Sequence, residues 1–206
     1  MKFPSRGLYA ITDTALTPGP RLLQAVGAAL CGGAVAVQYR DKSGDRTRRR
    51  AEARALAVFC RAHDVPLLIN DDVTLAGECG ADGVHLGGGD MALDTARRLL
   101  GPAAIIGVSC YNELARVERA AAEGADYVAL GSFFPSPTKP QARRAVPALL
   151  REAQRRVAVP VVAIGGITAD NGTQLVRAGA DLLAVISDLF GAEDIEEAAR
   201  RIANLF

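Results

Sequence analysis

Gln38, Arg40 and Lys42 alternate along the chain. If the backbone is extended there, an amide, a guanidinium and an ammonium point into one space. Such a trio would hold a pyrophosphate together with a polar heterocycle. The plainer alternative is that Arg40 and Lys42 are solvated loop residues. Asp71 and Asp90 each fall just past the end of an apolar run. Two carboxylates beside cations suit Mg2+, which often takes one or two carboxylates plus substrate phosphates and water. The alternative for each is a helix cap, Asp71 for a helix starting near Val73 and Asp90 for one starting at Met91. The segment from Phe133 to Pro140 combines prolines, among them Pro137, with the hydroxyls of Ser136 and Thr138 and the ammonium of Lys139. Stiff, decorated loops after strands are commonly functional. Gly165-Gly166 and Ile186-Ser187 offer bare backbone that an anion can approach.

These residues need elements that bring them together. Eight short apolar runs read as strands: Leu8–Thr12, Ala34–Arg40, Pro66–Asp71, Gly83–Leu86, Ala104–Cys110, Tyr127–Gly131, Val159–Ile164 and Leu182–Ser187. They are near-continuous rather than alternating, as in parallel strands covered on both faces. Ala-, Leu- and Arg-rich stretches with helical periodicity lie between them, such as Arg48–His63 and Glu113–Glu123. Arg46, Arg48, Arg49 and Arg50 read as a solvated helix face. Gly80-Ala81-Asp82, Gly124-Ala125-Asp126 and Gly179-Ala180-Asp181 each precede a strand, with Cys31-Gly32-Gly33-Ala34 a looser copy. Glycine there can end the preceding helix in the left-handed conformation. The fold expected is α/β, a single (β/α)8 TIM barrel occupying residues 1–206 as one domain. A dinucleotide-type sheet fits less well, because the first strand runs into Thr12-Asp13-Thr14 with no glycine fingerprint. In a closed barrel all the polar motifs above meet on the carboxyl-terminal face.

The totals narrow the function classes. With 24 basic against 23 acidic residues, the net charge of +1 gives no reason to expect nucleic acid. No run of about 18 apolar residues marks a membrane span, and the polar start Met1-Lys2-Phe3-Pro4-Ser5-Arg6 does not read as a secretory signal. A cytoplasmic protein acting on small molecules, as a monomer or homodimer, is expected. Cys31, Cys60, Cys79 and Cys110 form no CxxC pair and read as small buried residues, Cys110 being the one nearest the polar rim. His63 reads as exposed at a helix end. His85 reads as a hydrogen-bonded core histidine within a strand.

Taken in order, Gln38-Tyr39-Arg40-Asp41-Lys42, Asn70-Asp71, Gly83-Val84-His85-Leu86-Gly87, Gly107-Val108-Ser109, Pro137-Thr138-Lys139-Pro140 and Ala163-Ile164-Gly165-Gly166-Ile167 resemble the thiamine phosphate synthase family over essentially the whole chain. The resemblance implies an enzyme joining a hydroxymethylpyrimidine diphosphate to a thiazole phosphate, with release of pyrophosphate. It implies that Gln38, Tyr39, Arg40, Asp41, Lys42, Asn70, Ser109 and Lys139 form the pyrimidine diphosphate subsite, with Arg40, Lys42 and Lys139 stabilising the leaving group. Asp71 and Asp90 would bind Mg2+. Ser136, Pro137 and Thr138 would meet the thiazole phosphate, with Gly166, Ile186 and Ser187 at its phosphate. The chain departs from the family pattern at Gly88, where glutamine is usual, and reads Ser136-Pro137-Thr138 where the family loop is threonine-rich. Two other functions fit the same fold: a thiazole tautomerase, which would need an acid–base residue such as His85, and a non-catalytic protein binding thiamine intermediates.

Overall fold

The structure, a computed structural model, describes residues 1–135 and 144–206. The eight strands are β1 (Gly7–Ile11), β2 (Ala34–Tyr39), β3 (Leu67–Asn70), β4 (Gly83–Leu86), β5 (Ile105–Tyr111), β6 (Tyr127–Leu130), β7 (Val161–Ile164) and β8 (Leu182–Val185). All pair in parallel, each with the next in sequence, and β8 returns to β1 to close the barrel. Around it lie α1 (Arg21–Cys31), α2 (Arg46–Ala62), α3 (Val73–Cys79), α4 (Leu93–Leu100), α5 (Leu114–Ala122), α6 (Ala148–Arg156), α7 (Ala169–Arg177), α8 (Ser187–Phe190) and α9 (Ile195–Ala203). The fold is the (β/α)8 TIM barrel that the alternating pattern predicts. Most observed boundaries differ from the predicted ones by a residue or two, because apolar pattern does not mark where a ladder's last hydrogen bond falls.

Strand parity divides the apolar residues into two cores. Odd-numbered positions of β5 and β6, such as Ile105, Tyr127 and Ala129, point into the barrel with Tyr9, Leu68 and Leu182. Their neighbours Ile106, Val128 and Leu130 point outward and pack under the helices. Phe3, ahead of β1, stacks on the Tyr127 ring with centroids 3.9 Å apart, so the chain start also contributes to the barrel interior.

The Gly-Ala-Asp repeat has two structural roles. Gly80, Gly124 and Gly179 have φ of +69°, +88° and +103°, the left-handed turn that glycine permits. The aspartate that follows reaches back to the preceding strand. Asp82 accepts from the Leu67 amide, Asp126 from the Ile106 amide and Asp181 from the Val161 amide. These amides sit where β3, β5 and β7 begin, so the carboxylates satisfy donors the ladders leave open.

Two expectations are corrected. Arg48 and Arg49 are not simply solvated: Arg48 pairs with Asp41 at 2.8 Å and Arg49 with Asp72 at 2.9 Å. Cys31 is exposed, whereas Cys60 and Cys110 are buried as expected.

Candidate active site

The carboxyl ends of the strands surround a cavity of about 600 Å3, a size that suits a small-molecule site. On the β2 side, Gln38, Arg40 and Lys42 all face it, as their spacing predicts. Gln38 is 2% exposed, and its Nε2 donates to Tyr9 Oη at 2.8 Å. Arg40 is held by Asp13 at 2.8 Å, and its amide donates to Thr12 Oγ1 at 3.0 Å. Lys42 reaches across to Asp71 at 3.0 Å. Both cations are therefore pre-positioned by carboxylates at the mouth of the cavity.

Tyr39 and Asp41 have the opposite parity and turn toward the helix layer. The Tyr39 hydroxyl donates to Glu52 at 2.7 Å. Asp41 accepts from Arg48 and from the Ser43 amide, which fastens the loop between β2 and α2. Neither residue lines the cavity. Of the run from Gln38 to Lys42, the structure brings only Gln38, Arg40 and Lys42 to the cavity, because alternate side chains on extended backbone cannot share a face.

Asn70, Asp71 and Asp90 lie beside Lys42 on the same wall. Neither aspartate caps a helix. Asp72 caps α3, accepting from the Leu75 amide at 2.9 Å, while α4 begins only at Leu93. Asp71 instead has a left-handed φ of +65°, uncommon for a residue with a side chain, and its amide donates to the His85 carbonyl. Asp90 folds back to accept from the Gly87 amide at 2.6 Å. Burial disfavours charge on Asp71, but Lys42 and a hydrogen bond with Asp90 outweigh it and hold that carboxyl below its usual range. Burial and the adjacent Asp71 push Asp90 up, against the Gly87 amide. The two carboxyls thus lie close enough for the charge on one to oppose the charge on the other. A divalent cation would offset that repulsion, and two carboxylates beside the Lys42 ammonium are a donor set suited to Mg2+.

The opposite wall is mostly backbone. Gly165 and Gly166 have φ of +101° and +64°, and a Cβ on either would collide, at Gly165 with Ser132 and at Gly166 with Phe134 and Pro135. Glycine is required here twice over. Thr168 caps α7 through a box with Asn171, and Asp188 accepts from the Ala169 amide at 3.1 Å, tying α8 to the start of α7. Gly166, Ile186 and Ser187 all line the cavity. Ser136, Pro137, Thr138 and Lys139 lie outside the described residues.

The floor is polar. His85 Nδ1 lies 2.8 Å from Tyr127 Oη and its Nε2 lies 2.8 Å from Ser109 Oγ. Tyr127 Oη is in turn 2.9 Å from Tyr9 Oη. Sequence reasoning missed the tyrosines, because each reads as one aromatic in an apolar strand. It also missed Tyr111, which lines the mouth. The Tyr111 hydroxyl accepts from the Gly88 amide at 2.9 Å, and the Arg116 guanidinium lies over its ring. This brace holds the loop at Gly88. Cys110 points away, its thiol pushed up to about 12 by burial, so it is no nucleophile at neutral pH.

Residues 8–189 match the family profile described as thiamine monophosphate synthase. The chain belongs to the thiamine monophosphate synthase family. It is 56% identical over 205 residues to the thiamine-phosphate synthase of Thiobacillus denitrificans, covering 99% of this chain and 96% of that protein. It is 55% identical over 194 residues to that of Nitrosococcus oceani, covering 94% and 89%. Among solved structures, thiamine phosphate pyrophosphorylase from Pyrococcus furiosus superposes with a TM-score of 0.88 at 37% identity, covering 98% of this chain and 95% of that one. Membership makes the chain an enzyme, a transferase of thiamine biosynthesis. No helix among the described residues is long and apolar enough to cross a membrane.

Proposed function

We propose that the chain joins 4-amino-2-methyl-5-hydroxymethylpyrimidine diphosphate to a thiazole phosphate, giving thiamine phosphate and pyrophosphate. The observation that carries this is the division of one cavity into two anion-binding walls. Arg40, Lys42 and the Asp71–Asp90 pair stand on one side, with Gly166 and Ser187 backbone on the other. Two phosphorylated substrates can then lie side by side, which lowers the entropic barrier to their reaction.

The bond that breaks joins the exocyclic methylene to the diphosphate oxygen, and its electron pair leaves with the diphosphate. The electron-rich aminopyrimidine ring stabilises the resulting cation. Arg40 and Lys42, with Lys139 contributed by the family resemblance, meet the charge growing on the leaving oxygens, an electrostatic role of the kind that dominates such sites. Asp71 and Asp90 would hold Mg2+, which supplies charge neutralisation at the diphosphate when bound. The thiazole nitrogen donates its lone pair to the methylene. It carries no proton to remove, so no general base is needed, in keeping with an inert Cys110. His85 has both ring nitrogens engaged in the floor, which disfavours a proton-shuttling tautomerase.

The test is to incubate the purified protein with both substrates and Mg2+, omitting each in turn and adding a chelator in a parallel sample. Thiamine phosphate and pyrophosphate should appear together, and only in the complete mixture. Tight thiazole phosphate binding with no product would refute the proposal.

A further inference from the structure

Asp90 follows the most pliant backbone at the cavity mouth. Gly87, Gly88 and Gly89 precede it, and glycine loses more conformational freedom on ordering than any other residue. A Cβ on Gly89 would have no atom within 4 Å, so packing on that side does not hold the run. Two hydrogen bonds do. The Gly87 amide donates to Asp90 Oδ2 at 2.6 Å, and the Gly88 amide donates to Tyr111 Oη at 2.9 Å. The first uses the carboxyl that would meet a cation. The second comes from another strand and draws on neither aspartate.

Two irregularities aim Tyr111 at this loop. The register between β5 and β6 shifts between Ser109 and Tyr111, as at a bulge, the device that re-aims side chains beside active sites. Tyr111 then takes a left-handed φ of +54°, a strained conformation that persists only where its surroundings enforce it. Arg116 supplies part of that enforcement. Its Nε donates to the Ser109 carbonyl at 2.7 Å, and its guanidinium lies 5.3 Å from the centre of the Tyr111 ring. The loop is shaped to match. A Cβ at position 88 would stand 3.1 Å from the Tyr111 oxygen and 3.3 Å from the guanidinium, so a bare Gly88 lets amide and hydroxyl meet.

We infer that Tyr111 and Arg116 are positioning residues for the divalent cation: Arg116 sets the Tyr111 ring, the Tyr111 hydroxyl holds the triple-glycine loop, and the loop keeps Asp90 beside Asp71. Neither residue touches the cation. Their effect is to order Asp90 before the cation arrives, so that binding does not carry the entropy loss of fixing three glycines. The inference rests on the synthase reading for the identity of the cation and of the anion it meets.

Calorimetric titration with inorganic pyrophosphate, run with and without Mg2+, tests this. The quantity read is the ratio of the two affinities, which reports the cation's contribution without turnover. In wild type, Mg2+ should strengthen pyrophosphate binding. Tyr111→Phe keeps the ring and removes the hydroxyl. It should lower the ratio by about two- to tenfold, the loss of one hydrogen bond, with the affinity in the absence of Mg2+ unaltered. Arg116→Met should also lower the ratio. Combined with Tyr111→Phe it should add nothing, because Arg116 acts through the hydroxyl. A role confined to folding would lower Tm in these variants and leave the ratio alone. Should Tyr111→Phe not fold, Arg116→Met alone gives the reading. An unchanged ratio in the folded variant, additive losses in the double variant, or a wild-type affinity that Mg2+ does not alter would overturn the inference. A wild-type protein that shows the Mg2+ gain but makes no thiamine phosphate from both substrates would instead overturn the synthase reading. One that binds no pyrophosphate under either condition would overturn both.

Discussion

Gly107→Ala should destabilise the protein far more than the addition of one methyl suggests. His85, Gly107 and Tyr127 are neighbours in register on β4, β5 and β6. The Tyr127 ring lies over the bare backbone of Gly107 to reach His85, and a Cβ at 107 would overlap the ring atoms themselves. Tyr127 cannot step aside cheaply. It is fully buried, stacked on Phe3 at 3.9 Å, and hydrogen-bonded to both His85 and Tyr9. Overpacking a core costs about 1–3 kcal/mol, and two displaced hydrogen bonds about 0.5–1.5 kcal/mol each. The total is about 2–6 kcal/mol. For a chain of this size that lowers Tm by roughly 5–20 °C. Thermal unfolding followed by circular dichroism measures it. Adding Tyr127→Leu to Gly107→Ala removes the ring, so the losses from the two single changes should not sum in the double variant. A Tm within about 1 °C of wild type for Gly107→Ala, or fully additive losses, would refute the packing argument.

Arg40→Ala removes a charged contact at the proposed leaving group and should lower kcat/KM for the pyrimidine diphosphate by about ten- to a hundredfold. Unchanged kinetics would place the diphosphate elsewhere. Asp90→Asn should raise the Mg2+ concentration needed both for activity and for the Mg2+-induced rise in Tm, since one of two carboxylate ligands is lost. The Asp41 carboxyl is opposed by burial but held below its usual range by Arg48 and the Ser43 amide. A depressed folded value means stability that is present above the unfolded value near 3.8 and lost as pH falls toward the folded one. Asp41→Asn should therefore flatten the acid limb of a Tm–pH profile below that value, and an unchanged limb would show that Asp41 is not the group responsible. Iodoacetamide at neutral pH should label exposed Cys31 and spare buried Cys110, as peptide mass spectrometry would reveal.

Local pattern and side-chain parity were legible in the sequence; partners distant in the chain were not. Gln38, Arg40 and Lys42 share a face because extended backbone alternates, and this needs no tertiary knowledge. The same rule turns Tyr39 and Asp41 outward, although resemblance to the family groups them with the site. The left-handed glycines of the Gly-Ala-Asp repeat follow from helix ends, whereas the reach of Asp82, Asp126 and Asp181 back to the previous strand depends on register. Asp71 and Asp72 look alike in sequence, and backbone conformation decides which one caps the helix. Arg48 and Arg49 read as solvent-facing because Asp41 and Asp72 come beside them only in the folded barrel. The floor is hardest to foresee. Tyr9, His85 and Tyr127 come from three separate strands, and Gly107 matters through the space it leaves.

The central claim is that one cavity holds both substrates and drives diphosphate departure with its own cations. The most direct test is a single-turnover experiment on wild type and Arg40→Ala, measuring thiamine phosphate and pyrophosphate from the same sample. Equal amounts of the two products, formed rapidly by wild type and much more slowly by Arg40→Ala, are predicted. Pyrophosphate without thiamine phosphate, or equal rates in the two proteins, would contradict the account.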